Sequence, residues 1–572
     1  MTHTAPSDQQ KFDVPVVIAG AGPVGLMLSI LLSRQGIRNI IFEKREQINT
    51  MPRARGINVR SVEILTQLDL GEELRRGSLP PTWARQFVYT ETMAGELIGI
   101  MPGNMGPGMA ADHSACEYRV AAQDRLDPML YAKARSFKEC TIHFNHEVVD
   151  YVDNGSAVTV RIADRSAPQE VAPLGIRAQY LIAADGGKSS LRWSAQIGDA
   201  YNATYRSFVA ARFHGDLSAY SNGREGALIW TLAPDAAGVF HPLDGADNWS
   251  VQIQYDPNSE NPDEWTSEHV IQRIRRMVGV PDEADLDIEL VKYYKYTLTV
   301  SVADTFRKGR LLLAGDAAHR TLPHGGWGLN TGIHTAHNLA WKLGAVLRGV
   351  APDALLDTYN NERREAALRN CEFAKVNAGY IEKMMRALRE SSSVEERRRI
   401  VASSKQYGNW IGLDLGIHYE GTEGPGAFVP DNVSPPPVSN AVIEYVPHAK
   451  PGWRAPHFWA RTAIGNHRIS AVSLFDQDFV LLTGADGHAW ISAAGELNKG
   501  HKPRIQPLRV AADGDLVPEA VSFGDLYGVG PTGAVLVRPD GHVAYRAASA
   551  TQDVLQDLRT ALDCALGYQT HH

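Results

Sequence analysis

Apolar and polar positions along this chain fall into three regimes. The first opens at residue 14, where 20 residues (14–33) carry no charge: VPVVIA, then Gly20-Ala-Gly-Pro-Val-Gly25, then LMLSILLS. The leading run, rich in β-branched residues, predicts a buried strand, and the second run predicts a buried helix. The stretch is about long enough to span a bilayer. Gly20, Gly22, Pro23 and Gly25 interrupt its middle, so strand, tight turn and helix is the expectation. A second apolar strand at Asn39–Phe42 completes a βαβ unit of about 30 residues. Helical spacing recurs over 61–70 and 123–137, and a strand follows at 141–144.

The second regime covers residues 205–255, with short runs (YRSFVAARFHGDL, GALIWTLAP, GVFHPLDG, NWSVQIQYD) broken by Gly, Pro, Asp and Asn. This predicts an antiparallel sheet with one face wet. Helix returns at 268–277, a strand at 293–300, and long helices at 333–349 and 353–378. In the third regime, residues 420–455 (GTEGPGAF, NVSPPPVSN, AKPGWRAP) have the composition of a linker or extended arm. A compact α/β pattern follows: FVLLTG, RIQPLRVAA, AVLVRPDGHVAYRA and a helix over 550–566.

At 572 residues the chain is too long for one ordinary core, and two to four domains are expected. A net charge of -8 gives no basic footprint for nucleic acid or anionic lipid. Cys116, Cys140, Cys371 and Cys564 lie far apart with no CxxC, which argues for a reducing compartment and against a disulfide or zinc framework. The N-terminal residues lack a signal-peptide pattern, so a cytoplasmic location is expected, with neither membrane nor nucleic acid as partner.

Three motifs carry chemistry. Gly20-Ala21-Gly22-Pro23-Val24-Gly25 fits GxGxxG between strand and helix. Gly20 serves the turn, Gly22 the approach of a pyrophosphate, and Gly25 the close packing of helix on strand. Free N–H groups at the helix start suit phosphates. Glu43, 18 residues past Gly25, stands where a carboxylate would accept from ribose hydroxyls. In the second motif an apolar strand runs into Asp185-Gly186, with Ser189 and Arg192 in the next helix; the plain alternative makes Asp185 an N-cap. The third is RLLLAGDAAHRTLPHGGWGLN. There Asp316 ends a buried strand, Gly325, Gly326 and Gly328 allow backbone to approach a planar ring, and the helix start near Asn330 favours negative charge.

In that order and spacing, GAGPVG, Asp185-Gly186 and GDAAHRTLPHGGWGLN resemble the single-component FAD-dependent aromatic hydroxylases over about residues 12–375, and LVRPDGHVAYRA resembles the ending of their phenol-hydroxylase-like branch. The resemblance implies a Rossmann-like FAD-binding domain of the glutathione-reductase type, an inserted β-sheet substrate domain and a C-terminal thioredoxin-like domain. The corresponding spans are 1–195 and 301–400 for the FAD domain with its long helices, 196–300 for the sheet, 401–455 for the linker or arm, and 456–572 for the last domain.

It also implies that Gly20, Gly22, Pro23, Val24, Gly25, Glu43 and Lys44 serve the ADP half of FAD. Arg53 and Arg55 would contact FAD and, in some members, the nicotinamide; Gln123, Asp185 and Gly186 would also serve the cofactor. Asp316 would hold the ribityl chain, and Pro323, Gly326, Gly328, Leu329 and Asn330 would lie by the ring. The implied activity takes NADH or NADPH as a transient reductant and O2 as oxidant. A flavin C4a-hydroperoxide then hydroxylates a small phenolic or polycyclic aromatic substrate. Baeyer–Villiger oxidation or epoxidation by the same peroxide, and a reductase or halogenase on the same fold, are the alternatives. A homodimer is compatible with the sequence.

One position departs from the pattern. Phenol-type members often carry His two residues after the equivalent of Arg53, near the substrate hydroxyl, and here that residue is Arg55. The group that orients or deprotonates the substrate must then be sought among Arg55, Pro323, His241, Tyr255 and Tyr296, the last three being ordinary sheet residues on the plain reading. His319, His324, His334 and His337 have no Cys or acidic partner at ligand spacing, so no metal is expected. Glu362, Arg363, Arg364 and Glu365 read as a solvated helix face.

Overall fold

The computed structural model describes residues 13–568 apart from 104–107, 109, 169–171, 222, 282–283, 392, 405–407, 420–425 and 501–502. The reading of the N-terminal residues as no signal peptide, and most of GTEGPGAF, therefore lie outside the described residues.

The predicted βαβ unit is present: Val14–Ala19, the helix Pro23–Arg34, and Asn39–Phe42. Val14–Ala19 runs parallel between Leu174–Ala183 and Asn39–Phe42. Leu311–Leu313 extends the sheet beyond Leu174–Ala183, and Cys140–His143 extends it beyond Asn39–Phe42. Strands buried on both faces read as unbroken apolar runs, which is why VPVVIA, YLIA and RLLL were visible in the sequence. The parallel register brings the carboxyl ends of Val14–Ala19, Leu174–Ala183 and Leu311–Leu313 to one edge. All three motifs leave the sheet there, the usual ligand edge of an open α/β sheet.

The second sheet has eight strands in the order His319–Arg320, Glu289–Ala303, Asp199–His214, Asn248–Ile253, Gly238–Pro242, Leu228–Thr231, Gln86–Thr90, Leu97–Pro102. It therefore draws Gln86–Thr90 and Leu97–Pro102 from well before residue 196, and its strand Glu289–Ala303 runs past residue 300. The outer strands are short and variably buried, which left them without a clear period in the sequence. Nor is one face wet along the central strands. Gly238–Pro242 is buried throughout. The amphipathic helix Ser267–Val278 covers one face through Val270, Ile274 and Met277, which share a core with Phe213, Ile229, Phe240 and Trp249. The other face, with Phe87, Tyr89, Trp230 and Val239, packs into the core of the first unit.

The C-terminal unit pairs Phe479–Thr483 in parallel with Ile505–Arg509 and antiparallel with Ala534–Val537, which pairs with Val543–Ala547. Helices His488–Leu497 and Val554–Ala565 complete a thioredoxin-like βαβ–ββα arrangement. The stretch before it is not a free tether. A short helix, Ile411–Leu415, lies in it, and Trp410, Leu415, Tyr419, Ala427 and Ala449 are buried.

The expected solvated face on the helix Leu355–Glu390 is wrong at its two central residues. Glu362 and Arg363 are 0% and 1% exposed. Glu362 pairs with Lys342 at 2.7 Å and with Arg538 of the C-terminal unit at 2.8 Å, and Arg538 also pairs with Asp540. A charge pattern in sequence reports which residues can pair along one helix; here the partners of Glu362 come from other elements, 20 and 176 residues away. Among the described residues no helix is long and apolar enough to cross a membrane.

Candidate FAD and substrate site

The glycine turn is built around backbone contacts that a side chain would destroy. Gly20 has φ +105°, and a Cβ there would stand 2.4 Å from the Ala184 carbonyl oxygen. A Cβ on Gly25 would stand 2.1 Å from the Gly20 oxygen, whereas one on Gly22 would meet nothing within 4 Å. Gly22 also caps the helix without any side-chain bond, and Pro23 opens it. Open space thus lies over uncapped helix N–H groups, where an anion is favoured. Val24 packs into the fold: its Cγ2 stands where Cβ atoms on Gly315 and Gly332 would go. Buried Glu43 accepts from Ala21 N at 2.9 Å and from Arg45 N at 3.0 Å, which ties the second strand to the turn and leaves acceptor capacity for ribose. Lys44 is half exposed and reaches Glu147 at 3.7 Å.

Across the sheet edge, Ser189 caps the helix Ser190–Ser194 by accepting from Arg192 N, so Asp185 is not the cap. Its buried Oδ1 has no partner, and burial pushes its carboxyl up against the pull of the Ser189 hydroxyl. Asp316 is open to solvent along the cleft yet crowded by protein; burial raises its carboxyl, opposed by Arg53 and Arg320. Arg320 lies over the Asp185 loop, its Cδ 2.6 Å from a Cβ built on Gly187. Arg53 acts on the charges of Asp316, Tyr294 and Asp127 together. Gln123 donates to Asp127 at 3.0 Å.

The third motif supplies the far end. Gly325 and Gly326 have φ +113° and +73°, and Gly326 caps the helix Trp327–Leu347 without a side chain. Trp327 is buried against Gly325, and Pro323 is exposed on the loop. Gly328 faces open space, and Leu329 is buried beside it. Burial holds the His324 imidazole down to about 4, and its Nδ1 has no partner. The Asn330 side chain is fully engaged: it accepts from Asn58 N at 3.0 Å and donates to Gly56 O at 2.9 Å and Gly326 O at 2.6 Å. It clasps Gly56 and Asn58, which directly follow the Arg53–Arg55 segment, to the loop.

From that segment Arg55 reaches the second sheet. Its Nη1 donates to Ala227 O at 3.1 Å, and its Nη2 makes a short bond to His241 Nδ1. His241 is buried, and burial together with Arg55 drives its imidazole far below the ordinary histidine range. Tyr296 stacks on Phe208 at 5.9 Å on the same cleft side. Tyr255 does not join them. It packs edge-on to Trp265 in the outer core, against the expectation that it could touch substrate, because it lies past the end of its strand. Sequence reasoning missed Arg320, Asp127 and the Asp124–Arg212 pair (3.1 Å) that ties the helix Gln123–Arg135 to the second sheet. Arg320 was at least inside a motif.

These residues fit FAD. Open space at Gly22 suits a pyrophosphate, the orphaned Asp185 oxygen and accessible Asp316 suit hydroxyls, and the space at Gly328 suits a planar ring. Among the described residues no three His, Cys, Asp or Glu converge as a metal site.

Residues 13–374 match the model of the FAD binding domain, and residues 448–568 match that of the aromatic-ring hydroxylase C-terminal domain. The chain is 31% identical over 579 residues to the tetracenomycin A2 monooxygenase-dioxygenase of Streptomyces glaucescens, covering 96% of each. It resembles the flavin-dependent monooxygenase PieE, solved with FAD and substrate, with TM-score 0.88 and 28% identity over 97% of this chain and 99% of that one. It also resembles aklavinone-11 hydroxylase, solved with FAD and aklavinone, with TM-score 0.84 and 30% identity over 98% and 100%. A glycine turn, an Asp-Gly loop and an uncapped helix converge on one sheet edge beside an aromatic-faced second sheet, and with these matches the chain belongs to the FAD-dependent aromatic-ring hydroxylases.

Proposed function

We propose that this enzyme spends NADH or NADPH and O2 to hydroxylate a polycyclic, oxygenated aromatic compound of the polyketide type. The observation that carries the reading is Arg55. It directly precedes the segment clasped to the ring-end loop by Asn330 and ends on backbone oxygens and His241 of the second sheet, so the cofactor end and the sheet face are held in one register. Relatives named for tetracenomycin A2 and aklavinone, matched over 96% of this chain, support the choice of substrate class.

In this reading Gly22 and the helix Pro23–Arg34 hold the pyrophosphate, Glu43 the ribose, Asp316 and Asp185 the polyol hydroxyls, and Arg53 the charge between them. Pro323, Gly328 and Leu329 edge the ring. Bound flavin supplies the oxygen-activating chemistry. The protein's part is to orient the aromatic ring against Trp230, Tyr296 and Phe208 and to keep water out, which strengthens every polar contact inside.

The test is turnover of FAD-loaded protein under 18O2 with a panel of phenols and hydroxyanthraquinones. Substrate-stimulated NAD(P)H oxidation with one 18O in the product is expected. Stimulated oxidation with no label in any product would remove the hydroxylase reading.

A further inference from the structure

His241 invites the role of a base, and its geometry denies that role. A guanidinium carries only donors, so the bond from Arg55 Nη2 makes His241 Nδ1 the acceptor. The neutral ring must then carry its proton on Nε2. No lone pair remains to take a proton from a substrate; what remains is an N–H donor, buried and without a partner. Arg55 is well fixed for this task, since its own carbonyl accepts from Ala121 N at 2.8 Å and its Nη1 also reaches Pro242 O at 3.4 Å.

A second orphaned donor stands nearby. Trp230 pairs with Val239 on the neighbouring strand, and His241 follows Val239 by two, so all three project from one face. That face is the one turned to the FAD-binding unit, because Trp230 and Val239 join the core of the first unit while Ile229 and Phe240 join the outer core. Trp230 Nε1 is buried and has no partner either. Two unpaired buried donors on adjacent strands are unfavourable, and an acceptor brought between them removes the penalty.

We propose that His241 and Trp230 are a pair of N–H donors that reads an acceptor oxygen of the substrate, a ring carbonyl or an ionised phenol, and that Arg55 is the positioning residue that fixes the His241 tautomer. The substrate class is therefore a polycyclic aromatic ketone or quinone. Simple phenols that must first lose a proton find no base in this pair. The inference rests on the aromatic-hydroxylase reading and deepens it.

Binding to oxidised, FAD-loaded protein without NAD(P)H keeps the test separate from turnover. The probes are 1-hydroxyanthraquinone and 1-hydroxyanthracene, followed by flavin absorbance. Wild-type protein is expected to prefer the quinone at least tenfold. His241→Phe and Trp230→Phe should each weaken the quinone about tenfold and the anthracene less than twofold, and His241→Gln, which restores an N–H, should recover part of the loss. Equal binding of the two probes by wild type, including no binding of either, overturns the proposal, as does an equal loss of both in the variants.

For Arg55, 15N spectra of the histidine rings report the tautomer. Nε2–H in wild type and a shift toward Nδ1–H in Arg55→Met are expected; Nδ1–H or imidazolium in wild type overturns the assignment. A protein that incorporates 18O yet shows no quinone preference keeps its proposed function and loses this inference.

Discussion

Asp127 shows how a single side chain reports its surroundings. It lies buried in the helix Gln123–Arg135, one oxygen accepting from Gln123 and the other without a partner. Burial pushes its carboxyl up to about 7, opposed by the Gln123 bond, reinforced by Asp124 and opposed again by Arg53 and Arg45. An unfolded aspartate titrates near about 4. Between these two values the folded protein holds a proton that the unfolded chain has released, so stability falls as pH rises from about 4 to about 7 and is flat above. In ligand-free protein Asp127→Asn should therefore raise Tm at pH 8 and change it little at pH 5. A melting series giving parallel lines for the two proteins would show that the buried carboxyl is not the cause. The same residue scale explains why His324 and His241 stay neutral: burial works against the charge of both, and at His241 the Arg55 guanidinium adds to it.

At the scale of the element, the glycine turn separates two duties that the motif writes with one letter. A Cβ on Gly25 strikes the Gly20 carbonyl, so Gly25→Ala must displace the helix from the strand. Gly22 is extended (φ -74°), and its Cβ would project into open space, so alanine there is tolerated by the fold itself. Gly22→Ala should keep the ligand-free urea-unfolding free energy within about 0.5 kcal/mol of wild type and yet retain less than a tenth of the flavin after gel filtration. Gly25→Ala should lose both. Full flavin retention by Gly22→Ala would place the pyrophosphate elsewhere. The turn was legible because strand, turn and helix are contiguous and the backbone demand falls on consecutive letters. The outer strands of the second sheet were not, since Gln86–Thr90 joins it by parallel pairing with Leu228–Thr231, nearly 140 residues later.

At the scale of the whole molecule, the C-terminal unit is anchored to the ring-end helix by charge. Asn338 and Lys342 on Trp327–Leu347 reach Asp540 and Glu362, and Arg538 bridges the two carboxylates. A second buried node joins Glu63 to Arg60 at 2.8 Å and to Arg454. Burial and opposite charges act against each other here, and the cations hold Glu362 and Glu63 down to about 2. Removing one member leaves an unpaired charge in the interior, which costs about 3–5 kcal/mol. Arg538→Met should lower the urea-unfolding free energy by that amount and loosen flavin, although residue 538 belongs to the C-terminal unit. A loss below about 1 kcal/mol would show that the cluster relaxes around the gap.

The sequence by itself determined what is local. VPVVIA and GAGPVG dictate strand and turn through steric demands on neighbouring residues, and the Asp-Gly and GDAAHR–GGWGLN segments likewise carry their loops within a few positions. These were enough to expect the cofactor and the fold. The tertiary structure decided what depends on residues far apart: that Glu362 and Arg363 are interior, that Tyr255 packs in the outer core, that one oxygen of Asp185 is left without a partner while Ser189 caps the helix, and that Arg55 fixes the tautomer of His241. The physical reason is the range of each constraint. Backbone sterics and hydrophobic period act over a few residues and leave a pattern in the letters, whereas burial of charge and the partner of a hydrogen bond are set only when distant segments meet.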